Sequence, residues 1–278
     1  MTSTLPIFQS PEFVELHPRL TYWNGIAGKF EQNIFAVPGL GSFAGWLPTL
    51  NFTELQYPPF PDFVHWTLPP VFYNPTAFLK TIQSIPPSLW KWEKIESTWY
   101  FDLTQKSFEV SHGNRKKIQQ CLSSGTTVQR VPLSNWLSVY ELISLNRKDK
   151  GYTLSMSPKQ VEEMIFTFPN QTRMFEVVNP QNQRLAAAWV LIPLPDYAQV
   201  VYWAHHPSAE ALSPVALLCE GIQNYCRAEG ITNLDLGTAT TSDGIPNAGL
   251  TRFKQNLGAL PSLKCTLSLD IKKAAYGS

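Results

Sequence analysis

From His112 onward the apolar positions of this chain recur at helical and strand periods in a regular succession. His112–Ser123 is spaced as a helix and Val128–Pro132 as extended chain. Ser134–Asn146 places Trp136, Val139, Tyr140 and Ile143 on one face, which predicts an amphipathic helix. Ser157-Pro158-Lys159-Gln160 is a capping box with proline at the first helical position. Its helix buries Val161, Met164 and Ile165 and ends before Pro169. Three strands are predicted next, over Arg173–Val178, Leu185–Leu194 and Ala198–His205. The turn signals Asn179-Pro180-Gln181-Asn182 and Pro195-Asp196 separate them. Connections this short make an antiparallel meander. Ser213 and Pro214, as cap and first helical residue, open a helix to Glu229 that turns Val215, Leu218, Ile222 and Tyr225 inward; Gly230 closes it. Asn233–Leu236 reads as a short strand. Asn247 caps a helix reaching Leu257, and Leu263–Ile271 is a terminal strand. A strand–helix–strand step after a meander implies one parallel crossover in a mixed sheet.

Before His112 the texture differs. Residues 1–75 are rich in proline and aromatics and poor in helix signals. Asn33–Trp46 reads as two short strands around glycine turns. Gly39, Gly41 and Gly45 invite a phosphate-loop reading, but no G-K-[ST] follows and no helix opens there, so a tight hairpin is the better account. Phe63–Leu68 is a strand stopped by Pro69-Pro70. Asn74 caps a helix with Pro75 at its first position, running to about Ile85. Trp92–Leu103 is a strand dense in aromatics. The fold class is therefore α/β (α+β), with a mixed, mostly antiparallel sheet flanked by helices.

Composition narrows the function. The chain has 278 residues, 44% hydrophobic, with a formal net charge of +1 and only 15% charged residues. Such a balance lacks the dense basic face that phosphate backbones require, so DNA is excluded as a partner. The runs Arg115-Lys116-Lys117 and Arg147-Lys148-Asp149-Lys150 read as solvated helix edges. Met1–Ser10 has no basic segment followed by an apolar core, which predicts no secretory leader. No apolar run is long enough to span a bilayer. Cys121, Cys219, Cys226 and Cys265 show no C-x-x-C spacing, and Cys219 and Cys226 lie too far apart on one helix to bridge each other. A reduced, cytoplasmic protein with buried thiols is the expectation. The five histidines contain no H-E-x-x-H, and no metal site is expected.

Chemistry concentrates in Asn233–Ala259, a predicted strand, a polar loop and a short helix. Leu250, Phe253 and Leu257 form the apolar stripe of that helix, and Lys254 falls about 40° from Leu250, at the margin of the buried face. Geometry alone favours a lysine whose stem covers the core while its amine reaches solvent. Lys254→Ala is expected to leave stability within about 1 kcal/mol, as for a surface change. The other reading is a cation held beside a pocket, where it stabilises an oxyanion or a phosphate. Asp243, Asn247 and several hydroxyls sit in the preceding loop.

The order of elements from about residue 112 resembles the GCN5-related N-acetyltransferase (GNAT) fold. The stretch L-D-L-G-T…D-G-I-P-N-A-G-L-T-R-F-K-Q-N-L-G resembles the Fem-type (FemAB, peptidoglycan-bridge-forming) branch of it. The matching positions are Asp235, Gly237, Gly249, Leu250, Phe253, Lys254 and Gly258, with Leu257 where the family often has phenylalanine. Asn146-Arg147-Lys148-Asp149-Lys150-Gly151-Tyr152 resembles a family segment between two helices, and Leu185-Ala186-Ala187-Ala188 a family strand. Fem-type proteins carry two such domains in tandem. The resemblance implies a C-terminal GNAT-like acyltransferase domain over 111–278 and a reduced, divergent one over 1–110.

The resemblance further implies acyl or aminoacyl transfer to an amine, with Lys254 and the adjoining Phe253 at the chemistry. The physical demand is plain: negative charge develops on a carbonyl oxygen and a proton leaves the amine. Asp235 and Asp243 are the carboxylate candidates for the base, and His205 or His206 the imidazole ones. Asp235 also reads as a brace at a strand end. Arg147, Tyr152, Tyr202, Trp203, Asn247 and Asp235 are the expected substrate-binding residues. Tyr202 and Trp203 alternate across one strand, so one ring faces the core and the other the cleft. One departure matters. Coenzyme A-dependent members usually carry an R/Q-x-x-G-x-G/A loop whose backbone N–H groups bind pyrophosphate. Here that loop is His205–Ser213, with no glycine and no arginine. The donor stays open between acyl-CoA, an acyl carrier and aminoacyl-tRNA, although the charge balance gives tRNA little support. The acceptor class, a cell-envelope or polysaccharide precursor or another small molecule, rests on the relatives alone. Two other readings compete: a non-catalytic ligand- or partner-binding protein, and a carbohydrate-binding module using its tryptophans.

Overall fold

The computed structural model of the chain describes residues 10–16, 21–23, 26–32, 34–37, 61–241 and 244–272. Its elements are α1 (Pro11–Leu16), β1 (Thr21–Trp23), β2 (Ile26–Glu31), β3 (Ile34–Val37), β4 (Phe63–Thr67), α2 (Pro75–Ser84), β5 (Trp90–Asp102), α3 (His112–Ser123), β6 (Thr127–Val131), α4 (Trp136–Asp149), α5 (Pro158–Thr167), β7 (Thr172–Val178), β8 (Arg184–Leu194), β9 (Tyr197–His205), α6 (Pro214–Ala228), β10 (Asn233–Thr238), α7 (Ala248–Asn256) and β11 (Leu260–Asp270). The chain forms two compact units that interleave in sequence. One takes Met1–Thr98, Thr238–Asn247 and Pro261–Ser278, and the other Trp99–Gly237 and Ala248–Leu260.

In the first unit β1, β2 and β3 pair antiparallel in turn, β3 runs parallel to β4, and β4 pairs antiparallel with β11. Alternation along β4 turns Val64 and Trp66 inward, and the register sets them opposite Leu269 and Leu267 of β11. Phe78 and Ile82 of α2 pack on that apolar face. Asn74 caps α2 as its sequence predicts, accepting from the Ala77 N–H at 2.9 Å. Apart from β3, the predicted hairpin of Asn33–Trp46 lies outside the described residues.

The second unit is built on the meander. β6 pairs with β7, β7 with β8 and β8 with β9, all antiparallel, and β10 lies parallel to β9 after the α6 crossover. The side chains of Val131, Met174, Trp189 and Tyr202 form one cross-strand row, and α4 covers that face. On the opposite face Phe175 meets Tyr225 of α6, ring centroids 5.2 Å apart. The capping box of α5 closes as predicted: Ser157 Oγ accepts from the Gln160 N–H and the Gln160 side chain from the Ser157 N–H.

Two local expectations fail. Ser213 does not cap α6. It sits at φ 49 as the exit of a tight 3-10 turn over Pro207–Leu212, and its side chain makes no capping bond. The turn crowds the entry to the helix, so the chain passes through a left-handed residue before Pro214 fixes φ. Nor is α6 buried on one face only. Ala216, Cys219, Gln223 and Cys226 are buried beside the predicted inward residues. The cause is α3, which packs on the side of α6 away from the sheet and sends Lys117 Nζ and Cys121 Sγ to the Ala211 and Leu212 carbonyls.

Candidate functional site

The parallel pair β9–β10 stops early. Asn233, Leu234 and Asp235 face Tyr197, Ala198 and Gln199, yet β9 runs on to His205 and β10 to Thr238. A bulge explains where they part. Tyr202 opposes Trp189 and Val200 opposes Val190, so Val201 is an extra residue on β9. An inserted residue bends its strand and raises the local twist. β10 turns away by its own chemistry. Asp235 Oδ1 accepts from the Gly237 N–H at 2.7 Å, an Asx-type turn. Gly237 takes φ +73, a conformation that a Cβ strains even though no atom lies within 4 Å of where it would stand.

Lys254 comes into this corner from α7. It is 1% exposed and is the buried residue of that helix. Its Nζ donates to the Leu236 carbonyl and to the Gly237 carbonyl, each at 2.8 Å. The expectation of a lysine reaching solvent is therefore corrected. Helical spacing put Lys254 at the margin of the apolar stripe, but the direction of burial is set by the end of β10, whose two carbonyls need a donor. Burial drives the amine down from 10.5 to about 7, and the nearby Asp235 carboxylate, itself 1% exposed, opposes that shift. The helix ends just beyond. Gly258, at φ +83, and Ala259 donate to the Gln255 and Lys254 carbonyls, which is a Schellman closure. A Cβ on Gly258 would also stand 3.1 Å from the Glu109 backbone.

The other predicted residues fall into two groups. Trp203 points to the α7 side of β9, and its ring meets Phe253 edge-on at 5.8 Å. Tyr202 points to the α4 side. There it hydrogen-bonds Ser155 and acts electrostatically on both Arg147 and Tyr140. Arg147 is half-buried, and burial holds its guanidinium below the usual arginine range against the opposing effect of Tyr202 and Tyr152. Tyr152 is exposed. Arg147, Tyr152 and Tyr202 thus stand together on one face, with Lys254, Asp235 and Phe253 grouped at the strand end. Asn247 is half-buried, and its backbone N–H goes to the Ala239 carbonyl. Asp243 lies outside the described residues. His205 ends β9, with its carbonyl held by Asn146 Nδ2 at 2.8 Å. His206 Nδ1 faces the Ser208 hydroxyl at 2.8 Å and N–H at 3.3 Å, capping the 3-10 turn. That turn spends its own donors internally: Ala209 N–H on the His206 carbonyl and Ser213 N–H on the Glu210 carbonyl.

Ser155 and Tyr140 escaped the sequence reading as site residues. Tyr140 passed as part of an apolar face, although its hydroxyl donates to the Met156 carbonyl at 3.1 Å. Nothing in the local spacing marks Ser155. Among the described residues no three or more His, Cys, Asp or Glu side chains gather as a metal site would need, and no helix is long and apolar enough to cross a membrane.

No family model matches the chain, and no curated protein matches it in sequence. Solved structures do match in fold. FemX is 12% identical, with a TM-score of 0.67, over 93% of this chain and 91% of that one. L-PGS from Bacillus licheniformis is 12% identical, with a TM-score of 0.60, over 92% and 86%. A C-terminal domain from Agrobacterium fabrum, assigned to a lysylphosphatidylglycerol synthetase, is 13% identical, with a TM-score of 0.60, over 95% and 87%. The chain has the Fem-type, GNAT-like fold.

Proposed function

We propose that the chain is an N-acyltransferase that moves an acyl or aminoacyl group from an ester or thioester onto an amine. The observation that carries this reading is Lys254, buried and held by two backbone carbonyls where β9 and β10 part. For structure alone the site is costly, because desolvation of the ammonium, at several kcal/mol, weighs against the two hydrogen bonds it makes. A catalytic lysine does gain. In a water-poor corner a fixed positive charge acts on a developing oxyanion far more strongly than in solvent. An amine poised near neutrality also changes protonation easily during turnover.

In this scheme the acceptor amine attacks the donor carbonyl, a tetrahedral oxyanion forms beside Lys254, and collapse expels the alcohol or thiol. The amine proton leaves to a base, for which Asp235 and Asp243 are the carboxylate candidates. Asp235 also accepts from the Gly237 N–H at the turn. Phe253 and Trp203 wall the corner. Arg147, Tyr152 and Tyr202 hold substrate on the α4 face, and Asn247 borders the entry to α7. The neighbouring folds, FemX and a lysylphosphatidylglycerol synthetase, support an aminoacyl donor and an acceptor from the cell envelope. Acyl-CoA is disfavoured as donor, because the 206–213 turn uses its own N–H groups. Residues 1–110 are read as a reduced, divergent domain and residues 111–278 as the acyltransferase domain.

The test is a mass-spectrometric transfer assay with acyl-CoA and aminoacyl-tRNA donors against amine-bearing envelope precursors. Lys254→Ala is expected to abolish transfer per folded molecule. Unchanged turnover in that variant would refute the reading. Ligand binding with no turnover in either protein would mark a non-catalytic binder instead.

A further inference from the structure

A cavity of about 240 Å³ opens between α3 and α6, in the second unit, and neither Lys254 nor the Arg147 group lines it. Its lining mixes two chemistries. Phe108, Val110, Ile118 and Leu257 are apolar. Lys106, Glu220, Gln223 and Arg227 are polar. Arg227 is fixed in place: Nε donates to the Leu103 carbonyl at 3.4 Å, Nη2 to the Gln105 carbonyl at 3.3 Å, and the guanidinium lies 5.0 Å from the Phe108 ring centroid. Among the described residues neither Arg227 nor Glu220 makes an ion pair.

One buried amide on the lining has bonding capacity to spare. Gln223 is 7% exposed, and its side-chain partner is the Cys219 sulfur at 3.5 Å. An amide offers two donors and two acceptor sites, so a ligand or ordered water in the cavity can take the rest.

We propose that this cavity is a binding site for a free α-amino acid with an apolar side chain. Arg227 and Lys106 receive its carboxylate, and Glu220 its ammonium. Gln223 offers further hydrogen bonds at the base, and the side chain lies on Phe108, Ile118 and Leu257. A lining with both signs of charge selects a zwitterion over a simple anion or amine. The size agrees. The volume lies below the range of about 300–1,000 Å³ usual for drug-sized ligands and well above the ~30 Å³ share of one water. The site does not depend on the transferase reading.

Calorimetry and thermal shift on the full chain test it, with L-leucine and its two half-molecules, 4-methylpentanoate and isoamylamine. Leucine is expected to bind one per chain and to raise Tm saturably. Each half-molecule should bind on the order of tenfold more weakly. Glu220→Gln, a surface change, should weaken leucine by a similar factor and leave 4-methylpentanoate unaffected. Ala216→Phe should fill the cavity and remove binding while circular dichroism stays native. Should that variant not fold, Glu220→Gln decides. No leucine binding, equal binding of 4-methylpentanoate, or leucine affinity unchanged in Glu220→Gln would each overturn the proposal.

Discussion

Replacing Lys254 by methionine tests the physics of the corner apart from its chemistry. Methionine keeps the length and flexibility of the stem and removes only the charge and the donors. In the unfolded chain the lysine holds its proton up to about pH 10.5, and in the folded chain it releases it near 7. Between those values the unfolded state binds more protons, so stability rises as pH rises. The gap is roughly 3.5 pH units, each worth about 1.4 kcal/mol, so the ammonium burdens the fold by at most about 5 kcal/mol below pH 7. Methionine lifts that burden but strands the Leu236 and Gly237 carbonyls, at about 1–3 kcal/mol each. Near pH 6 the two effects offset and the proteins should be close in stability. By pH 10 the wild type keeps both bonds without the burden and should lead by several kcal/mol. Denaturant unfolding at pH 6–10 reads the difference, which should widen by about 4 kcal/mol between pH 7 and 10. The buried thiols oppose this in the wild type: Cys219 and Cys226, raised to about 12, keep their protons where the unfolded thiols lose theirs, so their contribution falls as pH climbs above 9. They are common to both proteins and cancel in the difference. A difference that is flat with pH, or that narrows, would show that the folded chain keeps the ammonium charged, and the argument from a neutral-poised amine would fall.

Gly237→Ala should lower stability by about 1–2 kcal/mol, measured as Cm, because the cost is the left-handed backbone alone. Gly258→Ala should cost clearly more by the same measurement, since the new Cβ also meets the Glu109 backbone at 3.1 Å; equal costs would contradict the close contact. Arg147→Lys should raise KM about tenfold at constant kcat in the transfer assay, as expected where a planar guanidinium holds substrate in ground and transition state alike. Iodoacetamide at pH 8 should label none of the four buried cysteines of the native chain, by mass spectrometry, and all four in denaturant.

Local chemistry made much of this fold readable. The α5 capping box, the Asn74 cap, the three-strand meander and the parallel crossover all follow from residues within a few positions of one another. The errors share a different origin. Lys254 looked marginal because a helical wheel records which residues are apolar, not what lies opposite them. Its burial is dictated by two carbonyls seventeen and eighteen residues upstream. Those carbonyls need a donor because a bulge at Val201 parts β9 from β10, and no single residue in Val200-Val201-Tyr202 announces a bulge. Likewise α6 reads as one-faced until α3 is laid on its other side. The site is therefore the least local part of the molecule. Asp235 and Gly237 set the turn, Val201 opens the gap, and Lys254 fills it from another element. Each of the three can be disturbed separately. Asp235→Asn, whose side-chain carbonyl can still accept from the Gly237 N–H, keeps the brace and should keep the fold. The same substitution removes the carboxylate that holds the amine up, so the Lys254 pKa should drop below about 7 and the activity limb should move to lower pH with it. A pH–rate profile that does not move would mean that Asp235 serves the turn alone.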